Sequence, residues 1–153
     1  MSEISIIHHI KGSPGFRLLG LGPNLYPCQA ISQLQYLFNK NTFWGLKRKK
    51  KDLIKMLANS DLAISMWEDK KLIGFGRATT DSIYRATLWD IVISDKFRHK
   101  GNGKLIVYSL INSDELINVE KIYLMSTHHK DFYENCGFKL NNQQQLMILD
   151  RRI

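Results

Sequence analysis

Arg98-His99-Lys100-Gly101-Asn102-Gly103-Lys104 stands between Ala86–Ile93 (ATLWDIVI), an apolar run of strand character, and Gly103–Ile117, where apolar residues recur at helical intervals. A strand that ends in a turn of glycines and cations and then opens a helix offers an anion unpaired backbone N–H groups. It adds the positive end of the helix dipole and several whole charges at one point. The stretch therefore predicts a cradle for a diphosphate, such as a nucleotide-bearing cofactor carries. Val119–Met125 reads as the next strand, so the turn also predicts a parallel strand–helix–strand crossover.

Working outward, Leu62–Glu68 and Leu72–Thr79 flank the turn Asp69-Lys70-Lys71 and form a hairpin. Downstream, Lys130–Cys136 reads as a short helix closed by Gly137, and Gln145–Leu149 as a last strand. Upstream, Cys28–Phe38 carries Ile31, Leu34, Gln35 and Phe38 at helical spacing, and a second, basic helix runs to about Asn59 with Leu53, Ile54 and Leu57 on one face. Before them come the apolar run Ile4–Ile10 and a glycine- and proline-punctuated loop holding a short strand at Phe16–Leu19. In the long helix, Leu105, Ile106, Leu110, Ile111 and Ile117 are expected to face the core. The order of elements is mixed α/β, and with no repeat or linker the 153 residues are expected to form one domain, 1–153.

Composition narrows the function classes. With 44% hydrophobic and 24% charged residues and no long apolar run, a membrane span is not expected, and the amino terminus has no signal- or transit-peptide character. Cys28 and Cys136 lie far apart and outside any C-x-x-C pattern, which predicts neither a zinc site nor a disulfide framework. A net charge of +8 favours an anionic partner without choosing among nucleic acid, an anionic surface and a phosphorylated cofactor. The run Lys47-Arg48-Lys49-Lys50-Lys51 reads as a solvated helix face sooner than a binding patch. Gly101-Asn102-Gly103-Lys104 lacks the span and hydroxyl of a Walker loop, and neither Gly101/Gly103 nor Gly20/Gly22 completes a dinucleotide fingerprint.

The spacing Arg98-x-x-Gly101-x-Gly103 directly after an apolar strand resembles the acyl-CoA-binding motif of the GNAT superfamily of N-acetyltransferases. Leu88–Ile93 resembles that family's fourth strand, Gly103–Ile117 its long helix and Lys121–Leu124 its fifth strand. Phe132-Tyr133-Glu134-Asn135-Cys136-Gly137-Phe138 resembles its F-Y-x-x-x-G-F ending. The resemblance covers about Leu62 to Phe138. It implies a GNAT-like fold with a mixed sheet of about six or seven strands flanked by about four helices. The implied activity is direct transfer of an acetyl group from acetyl-CoA to a primary amine, without a metal, by a monomer or homodimer.

On that resemblance, the backbone of Arg98, His99, Lys100, Gly101, Asn102, Gly103 and Lys104 would hold the diphosphate. The glycines would allow close approach of the backbone, with Asn102 pointing outward. Ile91 and Ile93 would pair with the amide-bearing arm of the cofactor as an added strand does, and amides near Ile91 and Val92 would face the acyl oxygen. Tyr133 is the expected general acid, since a phenol stays protonated at neutral pH, and it would also lie against the cofactor. Asp90, a carboxylate interrupting an apolar strand, is the candidate base, or else a structural carboxylate or an orienter of the substrate ammonium. His128 and His129 are a second choice of base.

Phe43 and Trp44, in the helix–helix connection, are candidates to line the acceptor pocket, which would suit an aryl-alkyl amine or a protein amine. Cys136, just before a helix-ending glycine, reads as packed, which favours direct transfer over a covalent enzyme intermediate. The sequence is similar to plastid-encoded red algal and cyanobacterial acetyltransferase-like proteins, implying a chloroplast location or a bacterial cytoplasm. An acyl-CoA-binding module without catalysis is the alternative, and a basic nucleic-acid-binding domain the remote one.

Overall fold

The computed structural model describes residues 2–11, 22–25 and 29–152. The strand expected at Phe16–Leu19, and Cys28, lie outside them. Five strands form one sheet in chain order: β1 (Ile4–Ile10), β2 (Leu62–Glu68), β3 (Lys71–Thr80), β4 (Arg85–Ile93) and β5 (Lys121–Tyr123). The first three joins are antiparallel and the β4–β5 join is parallel, so the hairpin and the crossover are both present. Four α-helices accompany them: α1 (Ala30–Asn41), α2 (Lys50–Ala58), α3 (Asn102–Ile111) and α4 (Lys130–Asn135).

The sheet is covered on both faces, and β2 shows how. Leu62, Ile64 and Met66 point to one side, where they join Leu88 of β4 and Ile106 and Leu110 of α3. Ala63 and Trp67 point to the other, where they join Leu34 and Phe38 of α1 and Leu53 and Leu57 of α2. This is the period-two alternation of a strand read against two helical layers. Helix α3 lies directly on β3 because two positions there have no side chain. A Cβ on Gly74 would sit 2.8 Å from Ile106 Cδ1, and one on Gly76 3.0 Å from Ile106 Cγ2.

Several expectations need correction. Among the described residues there are five strands, not six or seven, and Gln145–Leu149 is not a strand: it has the composition of one but no partner, and residues 139–152 are exposed throughout. Helix α3 ends at Ile111, well before Ile117. There the Ser113 hydroxyl donates to the Leu110 carbonyl at 2.7 Å, the local competition by which serine unwinds a helix end. The early stop turns Leu116 inward (1% exposed) and leaves Ile117 outside (54%). The buried face of α3 is Ile106, Val107 and Leu110, with Leu105 turned to solvent; in α2, Ile54 is likewise exposed.

One partly buried imidazole makes the fold sensitive to acid. His9 Nε2 lies 2.8 Å from Ser65 Oγ, which also accepts from Trp67 Nε1 at 2.8 Å. Burial, and secondarily the neighbouring His8, lower the His9 pKa to about 4. Because the folded value lies below the unfolded one, the unfolded chain takes up the proton first, and stability is lost as pH falls from about 6.5 toward 4. The loss attributable to His9 is on the order of 3 kcal/mol. Urea midpoints at pH 7.5 and 4.5 should therefore differ more in the wild type than in His9→Gln; an equal drop in both would remove His9 as the cause.

Candidate functional site

The site begins with a slip in β4. Phe75 pairs with Val92 and Arg77 with Trp89, so two steps along β3 correspond to three along β4. The extra residue is accommodated at Asp90, whose φ of 57° is left-handed, as in a β-bulge. The bulge shifts the alternation: Ala86 and Leu88 face the α3 layer before it, and Ile91 and Ile93 face the same layer after it. Beyond it β4 also leaves its neighbour. Pairing with β5 covers Arg85, Ala86 and Thr87 only, so Leu88–Ile93 has no strand on that side among the described residues. Leu88–Ile93 therefore keeps unshared backbone groups on its β5 side and leads, through a short 3-10 turn, into the glycine turn.

In the turn, His99 and Gly101 both take positive φ, 62° and 83°. Gly101 stands at the α3 N-cap with no side-chain cap, and the first intrahelical bond runs from Leu105 N to the Gly101 carbonyl at 3.1 Å. The amides of Asn102, Gly103 and Lys104 are consequently presented outward, as an anion requires. The two glycines serve different ends. Gly101 has open space around it and is there for its left-handed backbone, whereas a Cβ on Gly103 would lie 3.2 Å from Phe132 Cζ of α4 and 3.8 Å from Ile93 Cγ1.

One further correction concerns this turn. Asn102 points back and not outward, its amide donating to the Phe97 carbonyl at 3.0 Å. The Arg98 side chain is a strut: it donates to the carbonyls of Ile93 and Asn41 and pairs with Asp95 at 3.1 Å, tying β4, the turn and α1 together. The Lys100 and Lys104 ammonium groups lie over the rings of Phe97 and Tyr108, at 5.7 and 5.4 Å.

Through Gly103, Phe132 and Ile93, the turn, α4 and the end of β4 meet. Tyr133 sits edge-on between Phe132 (centroids 4.9 Å apart) and Phe138 (6.2 Å). Its hydroxyl makes no hydrogen bond among the described residues, and burial, followed by the Cys136 thiol, pushes its pKa up to about 12. Cys136 is a buried core residue whose thiol is itself pushed up by burial, so it is held as the unreactive thiol.

Asp90 belongs to the opposite face. One carboxylate oxygen accepts from Arg77 Nε at 2.6 Å and the other from Arg48 Nη2 at 3.1 Å. The Arg48 guanidinium also lies over the Phe38 and Trp44 rings, at 5.1 and 5.6 Å, and Arg77 over Trp89 at 5.8 Å. Trp44 is thus fixed from two sides and half open, while Phe43, 61% exposed, has its ring against His128, with centroids 5.8 Å apart. That contact joins the α1–α2 connection to the loop before α4. Among the described residues, no group of three or more His, Cys, Asp or Glu side chains could hold a metal ion, and no helix is long and apolar enough to cross a membrane.

A profile of the acetyltransferase (GNAT) domain matches residues 59–140, just over half of the chain and all of the β2–α4 unit that builds this site. The chain belongs to the GNAT acetyltransferase family. It is 36% identical over 98 residues to an N-acetyltransferase named ycf52 from Pyropia yezoensis, a match covering 61% of this chain and 56% of that protein. It is also 36% identical over 73 residues to a chloroplastic GCN5-related N-acetyltransferase 2 of Arabidopsis thaliana, covering 47% and 28%. The chain therefore spans about half or less of the length of these relatives. In fold it is similar to a GNAT-family acetyltransferase of Streptococcus pneumoniae, with a TM-score of 0.71 at 12% identity over 98% of this chain and 100% of that one.

Within this GNAT architecture the structure brings together Ile91–Ile93, the turn from Arg98 to Lys104, and Tyr133. It places Asp90 and Trp44 in a second group linked through Arg48, with Arg77 on the same carboxylate, and sets Phe43 against His128 of the loop before α4. Arg77 has no role in the sequence analysis, and Arg48 stands there in a run expected to be a solvated helix face, whereas it precedes the helix and pairs with Asp90. Arg77, a charge inside an apolar strand, and Arg48, the lone arginine among four lysines, were the available signals.

Proposed function

We propose that this chain transfers an acetyl group from acetyl-CoA directly to a primary amine. The observation that carries the reading is the stretch of β4 beyond Thr87 that has no β5 partner, followed by the uncapped amides of α3 at Gly101. The amides of Asn102 to Lys104 hold the diphosphate, and the exposed backbone of Ile91–Ile93 pairs with the amide-bearing arm. Acetyl-CoA supplies an activated thioester acyl group. Tyr133, packed in the same cluster as Ile91 and Ile93, keeps a proton on Oη, and the bulge at Asp90 and Ile91 turns backbone N–H groups toward the reacting carbonyl.

Asp90 serves this site as an organiser. Both of its oxygens are committed to guanidinium donors, which leaves it poorly placed to take a proton from an amine, and through Arg48 it holds Trp44 where the acceptor enters. Phe43 and Trp44 give that entrance an aromatic lining, suited to an arylalkylamine or the aliphatic stem of a protein amine. By analogy with its plastid and cyanobacterial relatives, we place the protein in a plastid or a cyanobacterial cytoplasm. Calorimetry should show binding of acetyl-CoA, and a thiol-release assay with arylalkylamines, polyamines and lysine peptides should show turnover. Absence of binding overturns the reading; binding without turnover on any amine favours a catalytically idle acyl-CoA module.

A further inference from the structure

An open groove of about 390 Å³ lies on the α1 side of the sheet, between α1, the start of β3 and the short turn Asp95–Phe97 that follows β4. Small-molecule sites are of this order, roughly 300–1,000 Å³. Its floor is apolar, formed by Leu37 of α1 and Leu72 of β3, both buried. Tyr36 lines it as well and is 62% exposed, so an aromatic ring stands open to a ligand there. The acetyl-transfer reading uses none of these residues.

The charge on this groove is one-sided. Lys40, Lys71 and Lys96 come to it from three different elements, and all are exposed. None of them pairs with a carboxylate among the described residues; the ammonium of Lys40 has the Tyr36 ring, 5.8 Å from its centroid. The one acid in the lining, Asp95, is held by Arg98 at 3.1 Å. Like charges converging on one concavity repel each other, and an apolar floor focuses their field into it. An anion seated there removes that repulsion.

We propose that this groove binds a small aromatic phosphate of nucleoside monophosphate size, with its ring against Tyr36, Leu37 and Leu72 and its phosphate among Lys40, Lys71 and Lys96. A phosphate monoester carries roughly −1.5 to −2 charges at neutral pH, so it answers more of the three lysines than a carboxylate does. Lysine meets phosphate as a point charge and needs no planar fork. The apolar floor and the open ring call for a body as well as a charge, which bare phosphate lacks. The walls stand ready. The Gln33 side chain donates to the Lys70 carbonyl at 3.0 Å and accepts from the Leu72 N–H at 2.8 Å, tying α1 to the hairpin. Asn41 accepts from the Asp95 N–H at 2.9 Å and donates to the Leu37 carbonyl at 2.9 Å. Binding therefore has little to order beyond the lysine side chains. The Asn41 carbonyl also accepts from Arg98 at 3.0 Å, so the groove and the glycine turn share a strut while offering a ligand different residues.

The proposal does not rest on the acetyl-transfer reading, and whether acetyl-CoA binds or turns over has no bearing on its test. AMP and phenyl phosphate are the probes, titrated into the full chain and followed by calorimetry and by backbone amide shifts. Both should bind in the submillimolar range and move the amides of residues 32–41, 71–72 and 94–96. Adenosine and inorganic phosphate should each bind at least about tenfold more weakly. Lys71→Gln/Lys96→Gln and, separately, Tyr36→Ser change exposed positions, and circular dichroism should show both folded. Each should weaken AMP by about tenfold or more, whereas Lys100→Gln/Lys104→Gln, on the glycine turn, should leave it within about twofold. No binding of either probe at millimolar concentration would overturn the proposal, as would inorganic phosphate binding as tightly as AMP. Shifts confined to residues 98–104, with affinity lost only in the Lys100→Gln/Lys104→Gln variant, would overturn it in favour of the turn.

Discussion

Asp90→Ala is expected to lower the free energy of unfolding by about 3–5 kcal/mol, the range for removing one partner of a buried ion pair. Only 7% of the Asp90 side chain is exposed, and it faces Arg77 at 2.6 Å and Arg48 at 3.1 Å, themselves 17% and 31% exposed. Without the carboxylate, two guanidinium groups face each other in a partly closed space. Arg77 would retain the Ser60 hydroxyl, 3.3 Å away, and Arg48 only the Met56 thioether and its aromatic rings. The backbone adds to the cost, because alanine at φ 57° lacks the polar side chain that makes this conformation tolerable for aspartate and asparagine. Asp90→Asn, which suits that backbone and keeps one acceptor, should fall between the wild type and alanine. Urea unfolding of the three proteins measures the series, and a loss below about 1 kcal/mol for alanine would show the clamp to be ornamental. The same pair of variants separates an organiser from a base: an organising Asp90 leaves the shape of the pH–rate profile of Asp90→Asn unchanged, while a titrating base removes its acidic limb.

The glycine turn was legible because its physics is local. A left-handed residue at Gly101, an uncapped helix start and a preceding strand are written in consecutive residues, as is the hairpin from Leu62 to Thr80. The slip at Asp90 was not legible. LWDIVI looks like a continuous strand, and only the pairing with β3 shows that Trp89 and Val92 are separated by an inserted residue, which changes the face of everything after it. The clamp was hidden for a related reason. Arg48, Arg77 and Asp90 are 42 and 13 positions apart, and a charge inside a strand announces that a partner exists without saying where it lies. The end of α3 was misread because helical spacing of apolar residues continues to Ile117 while Asn112, Ser113 and Asp114 turn the chain. Gln145–Leu149 has the composition of a strand and is not one, since pairing depends on an edge that the segment itself does not contain.

Tyr133→Phe should lower turnover roughly ten- to hundredfold while leaving acetyl-CoA affinity within about twofold. The substitution removes one oxygen and keeps the ring, so the edge-on contacts with Phe132 and Phe138 and the packing of α4 on Gly103 survive. The size of the effect follows from the acidity of the group. With its pKa at about 12, the hydroxyl stays protonated across the working range. Complete transfer to a thiolate of pKa about 8.5 would be uphill by roughly 5 kcal/mol. On the proposed mechanism the hydroxyl would therefore act chiefly by donating a hydrogen bond to charge as it builds on sulfur. That places it at the lower end of acid catalysis, because proton transfer is most effective when the acid's pKa lies near the operating pH. The sign of the pH dependence is fixed by the same shift. The acid form is lost only as pH rises toward 12, so Tyr133 contributes no alkaline decline in rate below about pH 10, whereas an unshifted phenol would be half ionised there. Single-turnover rates from pH 7 to 10, with calorimetric affinities for both proteins, make the comparison. Equal rates would reduce Tyr133 to a packing residue, and a parallel loss of affinity would move its contribution from the transferred proton to the binding of the donor.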